Sequence, residues 1–240
     1  YDNPYFYKSE QNLSLSVNGK YLSSEVFTDD EATNFGYSIN FQPTSKNYLD
    51  NDTYGDIEVS FGTVFEKNKI LNSFSTGVFN TNELSNTKFA RLKYSHSVDD
   101  LNLFANINFG SSEINSNNNS YIGNTNSILT RSYALGLIKN NFLEYNNKFA
   151  FIISQPQKVI EGQMKLTVPT ASNSDREVTY TDYDLNLASS VTEMNYDLFY
   201  IMKLTPDNSL YFNITHIDNP NHDASLNPHN NVSLVYKKFF

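Results

Sequence analysis

The chain has 240 residues, carries a formal net charge of −9 and contains no cysteine. The acidic balance, with its few lysines and arginines scattered, excludes recognition of a nucleic-acid backbone, which needs a basic patch. The missing cysteines exclude a disulfide framework, a CxxC redox motif and a thiolate zinc site.

Mean hydropathy is low, −0.49, although aromatic residues make up 15% of the chain. No apolar run reaches the roughly 20 residues that a helical membrane span requires. The opening YDNPYFYKSE lacks the basic–apolar–small pattern of a secretory signal, so any export signal is expected upstream of Tyr1. Residues 1–10 are expected to be a linker, a lumenal segment or an irregular first strand, and 11–240 a single β-domain.

From there on, apolar and polar residues alternate with period 2, the mark of two-faced strands. In NFGYSINF, Phe35, Tyr37, Ile39 and Phe41 share one face. DIEVSFGTVF places Ile57, Val59, Phe61, Thr63 and Phe65 together. LNLFANINFG sets Leu101, Leu103, Ala105, Ile107 and Phe109 against Asn102, Phe104, Asn106 and Asn108. TDYDLNLAS opposes Tyr183, Leu185 and Leu187 to Asp182, Asp184 and Asn186. In TEMNYDLFYIMKL, Met194, Tyr196, Leu198, Tyr200, Met202 and Leu204 share a face, and in SLYFNITH Leu210, Phe212 and Ile214 do. The closing NVSLVYKKFF puts Val232, Leu234, Tyr236 and Phe240 on one side, with Ser233, Val235, Lys237 and Phe239 on the other.

The pattern predicts about 12 or 13 strands, near 12–23, 34–44, 56–67, 70–80, 87–99, 101–112, 127–140, 147–155, 160–170, 176–189, 193–205, 208–218 and 231–240. Many run 10 to 13 residues, where strands in water-soluble proteins are usually about 5 or 6 and a tilted bilayer-spanning strand needs about 9 to 11. Tight connections (67–69, 98–100, 205–208) contrast with long polar ones (44–55, 111–126, 218–231), the layout of an outer-membrane barrel. The expected fold is therefore all-β, a transmembrane antiparallel up-and-down barrel of about 12 strands. Its apolar face would meet lipid and its polar face a lumen too wide for side chains alone to fill. The residues expected to line that lumen are Arg91, Lys93, Asn102, Asn106, Asp182, Asp184, Asn186, Asn195, Asp197 and Lys203. Arg131 shares parity with Leu129, Tyr133 and Leu135 and is expected at the rim, its charge snorkelling out of the apolar band.

Catalytic signatures are missing. No HExxH, Gly-x-Ser-x-Gly, phosphate loop or dinucleotide fingerprint occurs. His216, His222 and His229 lie in or beside one late loop, DNPNHDASLNPH. Histidine with aspartate can hold a metal, but the plainer reading is a polar loop. The expectation is no catalytic residue, no metal, no cofactor and no enzymatic activity. His216, by parity beside Leu210, Phe212 and Ile214, is the one histidine placed for a lipid-face hydrolase.

Four stretches, ISQPQKVIEGQMKLTVPT (153–170), VTYTDYDLNLASSVTEMNYDLFY (178–200), ITHIDNPNHDAS (214–225) and the closing strand, resemble the translocator barrel at the C-terminus of autotransporters. They are most similar to the barrel that follows subtilisin-like serine protease passengers. The likeness is carried by Ser154-Gln155-Pro156, Gly162, Pro169, the VTY at 178–180, the LNLASS run at 185–190, Glu193, Asp197, Tyr200 and Asn219-Pro220-Asn221-His222, over about 90 residues. Val191-Thr192 stand where the family commonly has Gly-Arg, Asn221 where it has Gly, and Lys238 where the terminal strand is usually apolar.

The resemblance implies a barrel in the outer membrane of a Gram-negative bacterium, among lipid and lipopolysaccharide. It implies insertion by the barrel-assembly machinery, which reads the terminal signal Val232, Leu234, Tyr236 and Phe240, and a non-catalytic role in anchoring and exporting the chain's own upstream passenger. The alternatives are a free-standing outer-membrane channel or porin, a soluble all-β adhesin or carbohydrate-binding module, and a barrel enzyme.

Overall fold

The computed structural model describes residues 13–18, 22–28, 32–41, 53–67, 69–70, 73–74, 84–114, 121–125 and 127–238. They form β1 (Leu13–Asn18), β2 (Leu22–Thr28), β3 (Ala32–Phe41), β4 (Thr53–Lys67), β5 (Lys69–Ile70), β6 (Ser73–Phe74), β7 (Leu84–Val98), β8 (Leu101–Glu113), β9 (Ile122–Thr125), β10 (Ile128–Asn140), β11 (Lys148–Glu161), β12 (Gln163–Ser172), β13 (Val178–Asn186), β14 (Met194–Thr205), β15 (Asn208–Asp218) and β16 (His229–Lys238). One 3-10 turn, Pro220–His222, precedes β16. No described helix is long and apolar enough to cross a membrane, which says nothing of a β-barrel.

The chain is all-β, and every ladder is antiparallel. Eleven strands form one meander in the order β1-β2-β3-β4-β7-β8-β10-β11-β14-β15-β16. A second sheet joins β13, β12 and β9, and β5 and β6 form a two-residue ladder. Among the described residues no ladder joins β16 to β1, so the sheet is open.

The strand pattern is corrected in three places. The segment expected at 12–23 spans β1 and the start of β2. Among the described residues the segment near 70–80 adds no strand to the large sheet: β5 and β6 pair with each other, and β4 pairs directly with β7 from Thr53↔Val98 to Lys67↔Leu84. The segments at 160–170 and 176–189 leave that sheet: after Gly162 the chain turns away, and β12 pairs with β13 and β9 instead. Period 2 announces a strand but is silent about its sheet.

Connections alternate between two ends. One end carries the turns at 99–100, 141–147 and 206–207. The opposite end carries the end of β8, the start of β10, the β12–β13 excursion and 219–228. The connection between β3 and β4, long in the sequence, lies outside the described residues. Polar residues that tolerate left-handed backbone make the tight turns: Asp99 has φ 50°, Asn141 51° and Asn146 67°.

The faces of the large sheet are sharply unlike. Along one face Phe61, Leu92, Tyr94, Leu103, Phe109, Leu135, Tyr196, Ile214, Val232 and Leu234 are exposed. The ladders join them into a continuous band: Val59↔Leu92↔Ile107↔Tyr133 in one row, Leu198↔Ile214↔Val232 in another. The other face is the enclosed one, with Ser60, Asn106, Asn108, Ser132 and Ser154 all under 9% exposed. Among the described residues thirteen polar or charged side chains are buried against six apolar ones, the reverse of a water-soluble core. Gly136 lies on the enclosed face, and the Phe104 ring sits over it, 2.4 Å from where a Cβ would be.

Candidate functional site

Seven of the ten residues expected to line a lumen lie together on the enclosed face: Arg91 and Lys93 on β7, Asn102 and Asn106 on β8, and Asn195, Asp197 and Lys203 on β14. The ladders connect them, with Lys93 opposite Asn106, Asn106 opposite Ala134, Ala134 opposite Ser154 and Ser154 opposite Asn195. Asp182, Asp184 and Asn186 stand apart, on β13 in the smaller sheet. There Thr167 donates to Asp182 at 2.6 Å and Lys165 at 3.3 Å, which together hold that carboxyl below the usual aspartate range.

The charge at one side of the enclosed face is paired. Glu58 on β4 accepts from Arg91 and lies 3.9 Å from the Lys93 ammonium. Ser60 also donates to Glu58, at 2.8 Å. The sequence carries a signal for Glu58, since Asp56, Glu58 and Ser60 alternate with Ile57, Val59 and Phe61. Reading that segment for its apolar members passes over the counter-ion. Farther round, Thr215 donates to Asp197 at 2.6 Å, and Asn108 donates to Ser132 at 3.0 Å.

Several groups on this face have no protein partner. The side-chain carbonyl oxygens of Asn106, Asn108, Asn195 and Asn213 are buried and accept no hydrogen bond from a protein group. In a dry interior each would cost about 1–3 kcal/mol. Toward the short-turn end the same face becomes apolar, with Ile138, Ala150, Phe199, Ile201 and Tyr211 around a hollow of about 430 Å³.

A second polar cluster forms at the long-connection end, and the segments that carry the family resemblance meet in it. The β10–β11 ladder shifts register between Arg131 and Tyr133. That shift takes Pro156 and Gln157 out of the ladder register, while Lys158 stays opposite Arg131. Gln155 donates to the Arg131 carbonyl at 3.1 Å, and Lys158 donates to Thr192 Oγ1 at 2.8 Å. Arg131 is half-buried rather than extended into solvent, and its Nη2 donates to Gln155 Oε1 at 3.4 Å. Asn219 donates to the Thr192 carbonyl at 3.2 Å, and Ser189 to the His222 carbonyl. Hydrogen bonds thus tie together β11, the 187–193 segment and the 219–222 turn.

His216 contacts Asn230 at 2.8 Å and its ring centre lies 6.0 Å from that of Tyr196. Among the described residues no group of three or more His, Cys, Asp or Glu side chains is placed to hold a metal. In the terminal signal, Val232 pairs with Ile214, Leu234 with Phe212 and Tyr236 with Leu210, while Phe240 lies outside the described residues. Tyr236 also donates to Asn208 at 2.7 Å.

No protein-family model, curated protein or solved structure matches the chain. The fold is an antiparallel all-β meander with an apolar exposed face and a polar enclosed one.

Proposed function

We propose that this chain is a bacterial outer-membrane β-barrel of about 12 strands that anchors and exports a passenger located N-terminal to it, without catalytic activity of its own. One observation carries the membrane reading: the face that a water-soluble sheet would bury in apolar contacts is here polar, and the exposed face is apolar. Moving a large apolar side chain from water into hydrocarbon is worth roughly 1.5–3 kcal/mol, so a band this wide favours a lipid surface. Buried asparagine carbonyls without protein partners fit a wet lumen, where water supplies the donors.

Closure follows from the same physics. An open edge in hydrocarbon leaves backbone groups unpaired at several kcal/mol each. Eleven strands in an antiparallel meander leave β1 and β16 pointing the same way, so closing with every pair antiparallel takes one strand more. That favours twelve.

The export role rests on the resemblance of residues 153–240 to autotransporter barrels. It is tested by expressing the full precursor in a Gram-negative host and probing with external protease. Upstream sequence exposed on intact cells, and lost when the barrel is deleted, is the expected result. A mature protein that begins at Tyr1 and forms ion-conducting pores in planar bilayers would replace this reading with a free-standing channel.

A further inference from the structure

We propose that the enclosed face at the short-turn end binds an amphiphile with a single anionic head, a medium-chain alkyl carboxylate. The ladders stack that face in rows whose chemistry changes with depth. The outermost row is basic, Lys203↔Ser209↔Lys237. The next runs Lys148↔Ile201↔Tyr211↔Val235, and the one below it Ile138↔Ala150↔Phe199↔Asn213. Deeper still the face is polar again, where the Asp197 carboxylate accepts from the Thr215 hydroxyl at 2.6 Å. The two middle rows supply most of the wall of the hollow of about 430 Å³, and Asn213 and Ser233 form its polar side. That volume lies in the range of small-molecule sites.

Lys148 lines this hollow and also a second, more polar one of about 790 Å³ at the strand ends, which Lys203 lines as well. The two lysines are diagonal neighbours across the β11–β14 ladder, because Lys148 stands opposite Ile201 and Lys203 is two residues beyond it. Such diagonal positions lie roughly 7–8 Å apart. Both lysines are exposed, and among the described residues neither ammonium joins an ion pair. Two like charges this close draw an anion between them, and a carboxylate there accepts charge-assisted hydrogen bonds. The alkyl chain then covers apolar side chains that otherwise face water, which is favourable in proportion to the area covered. At about 4.8 Å between strands the span from β10 to β15 is roughly 14 Å, whereas two rows along a strand cover only about 7 Å. The chain therefore lies across the strands, and one of medium length fits. Asp197 fixes the orientation, because it repels a carboxylate from the deep side of the hollow.

The test uses the full chain folded in phosphatidylcholine vesicles. It is irradiated with decanoate that carries a diazirine at its chain end, and the labelled residues are read by mass spectrometry. Labelling should fall on Ile138, Ala150, Phe199, Ile201 or Tyr211 and should be suppressed by excess unlabelled decanoate. It should drop about tenfold or more when the probe is the methyl ester, which has no charge for the lysines to hold. The double variant Lys148→Gln/Lys203→Gln should show the same drop, and Lys139→Gln should show none. Ala150→Phe fills the hollow and should remove labelling there, while labelling of Leu103 and Leu135 from the bilayer stays unchanged. Labelling confined to Leu103, Leu135 and other residues of the exposed face would overturn the proposal. So would labelling of the hollow undiminished by the ester or by the double substitution. Labelling seen only after deletion of residues 1–10 would also overturn it, by giving the hollow to the chain's own N-terminal segment.

Discussion

Replacing Leu135 with arginine separates a lipid-facing sheet from a water-facing one by a large margin. Leu135 is 53% exposed and lies between Ala105 on β8 and Ile153 on β11. Lys139 lies four positions farther along toward the short-turn end. At about 3.4 Å per residue and a tilt near 40°, that is roughly 10 Å of depth in an apolar band about 25 Å tall. Leu135 therefore stands close to the middle. In water, a substitution at so exposed a site falls within about 0.5 kcal/mol. At the bilayer midplane, arginine costs about 2–4 kcal/mol, a factor of roughly 30 to 1,000 in the folding equilibrium. Urea titration of the chain folded into phospholipid vesicles, followed by tyrosine emission and by gel migration of unboiled samples, measures the difference. Leu135→Arg within 0.5 kcal/mol of the unaltered protein would refute the lipid-face assignment. The same substitution at Lys139 should be near neutral, because the charge already stands near the band's edge.

Other outcomes follow from local geometry. Gly136→Ala places a methyl 2.4 Å from Phe104 and 3.2 Å from Ile152, so it should cost about 1–3 kcal/mol of overpacking, and the cost should fall when combined with Phe104→Ala. Asn147 is 1% exposed, donates to the Tyr200 hydroxyl at 3.0 Å and accepts from the Lys203 N–H at 2.9 Å. Asn147→Ala removes both hydrogen bonds and should lower the urea midpoint by an amount equivalent to about 1–3 kcal/mol. Asp182 has a lowered folded-state pKa, so its contribution is present above the ordinary aspartate pKa and is lost as pH falls through the lower folded value. Amide exchange, corrected for its intrinsic pH dependence, should therefore lose protection along β12 and β13 in that acid window. Asp182→Asn should remove the dependence.

Much of the fold was legible because a period of 2 is a local property. Strands β8, β14 and β15 lie where alternation in LNLFANINFG, TEMNYDLFYIMKL and SLYFNITH puts them. Membership of a sheet depends on pairing partners, which alternation does not encode. TDYDLNLAS alternates as cleanly as the rest, yet β13 pairs with β12 away from the large sheet. For the same reason Asp182, Asp184 and Asn186 do not join Arg91 and Lys93. The loop cluster was half-visible. Gln155, Glu193, Asn219 and His222 stand out in the sequence, but their meeting depends on the β11 register shift and on a left-handed turn. Neither leaves a periodic signal.

The most direct test of the account is an accessibility scan along β8. The chain has no cysteine, so single cysteines at 101 through 109 can each carry a spin label in vesicles without background. Collision rates with oxygen, which partitions into lipid, and with a water-soluble nickel chelate are then compared. The account predicts strict alternation, with Leu103, Ala105, Ile107 and Phe109 open to oxygen and shielded from nickel, and Asn102, Phe104, Asn106 and Asn108 the reverse or shielded from both. Nickel access at Leu103, Ala105, Ile107 and Phe109, or no alternation along the strand, would contradict it.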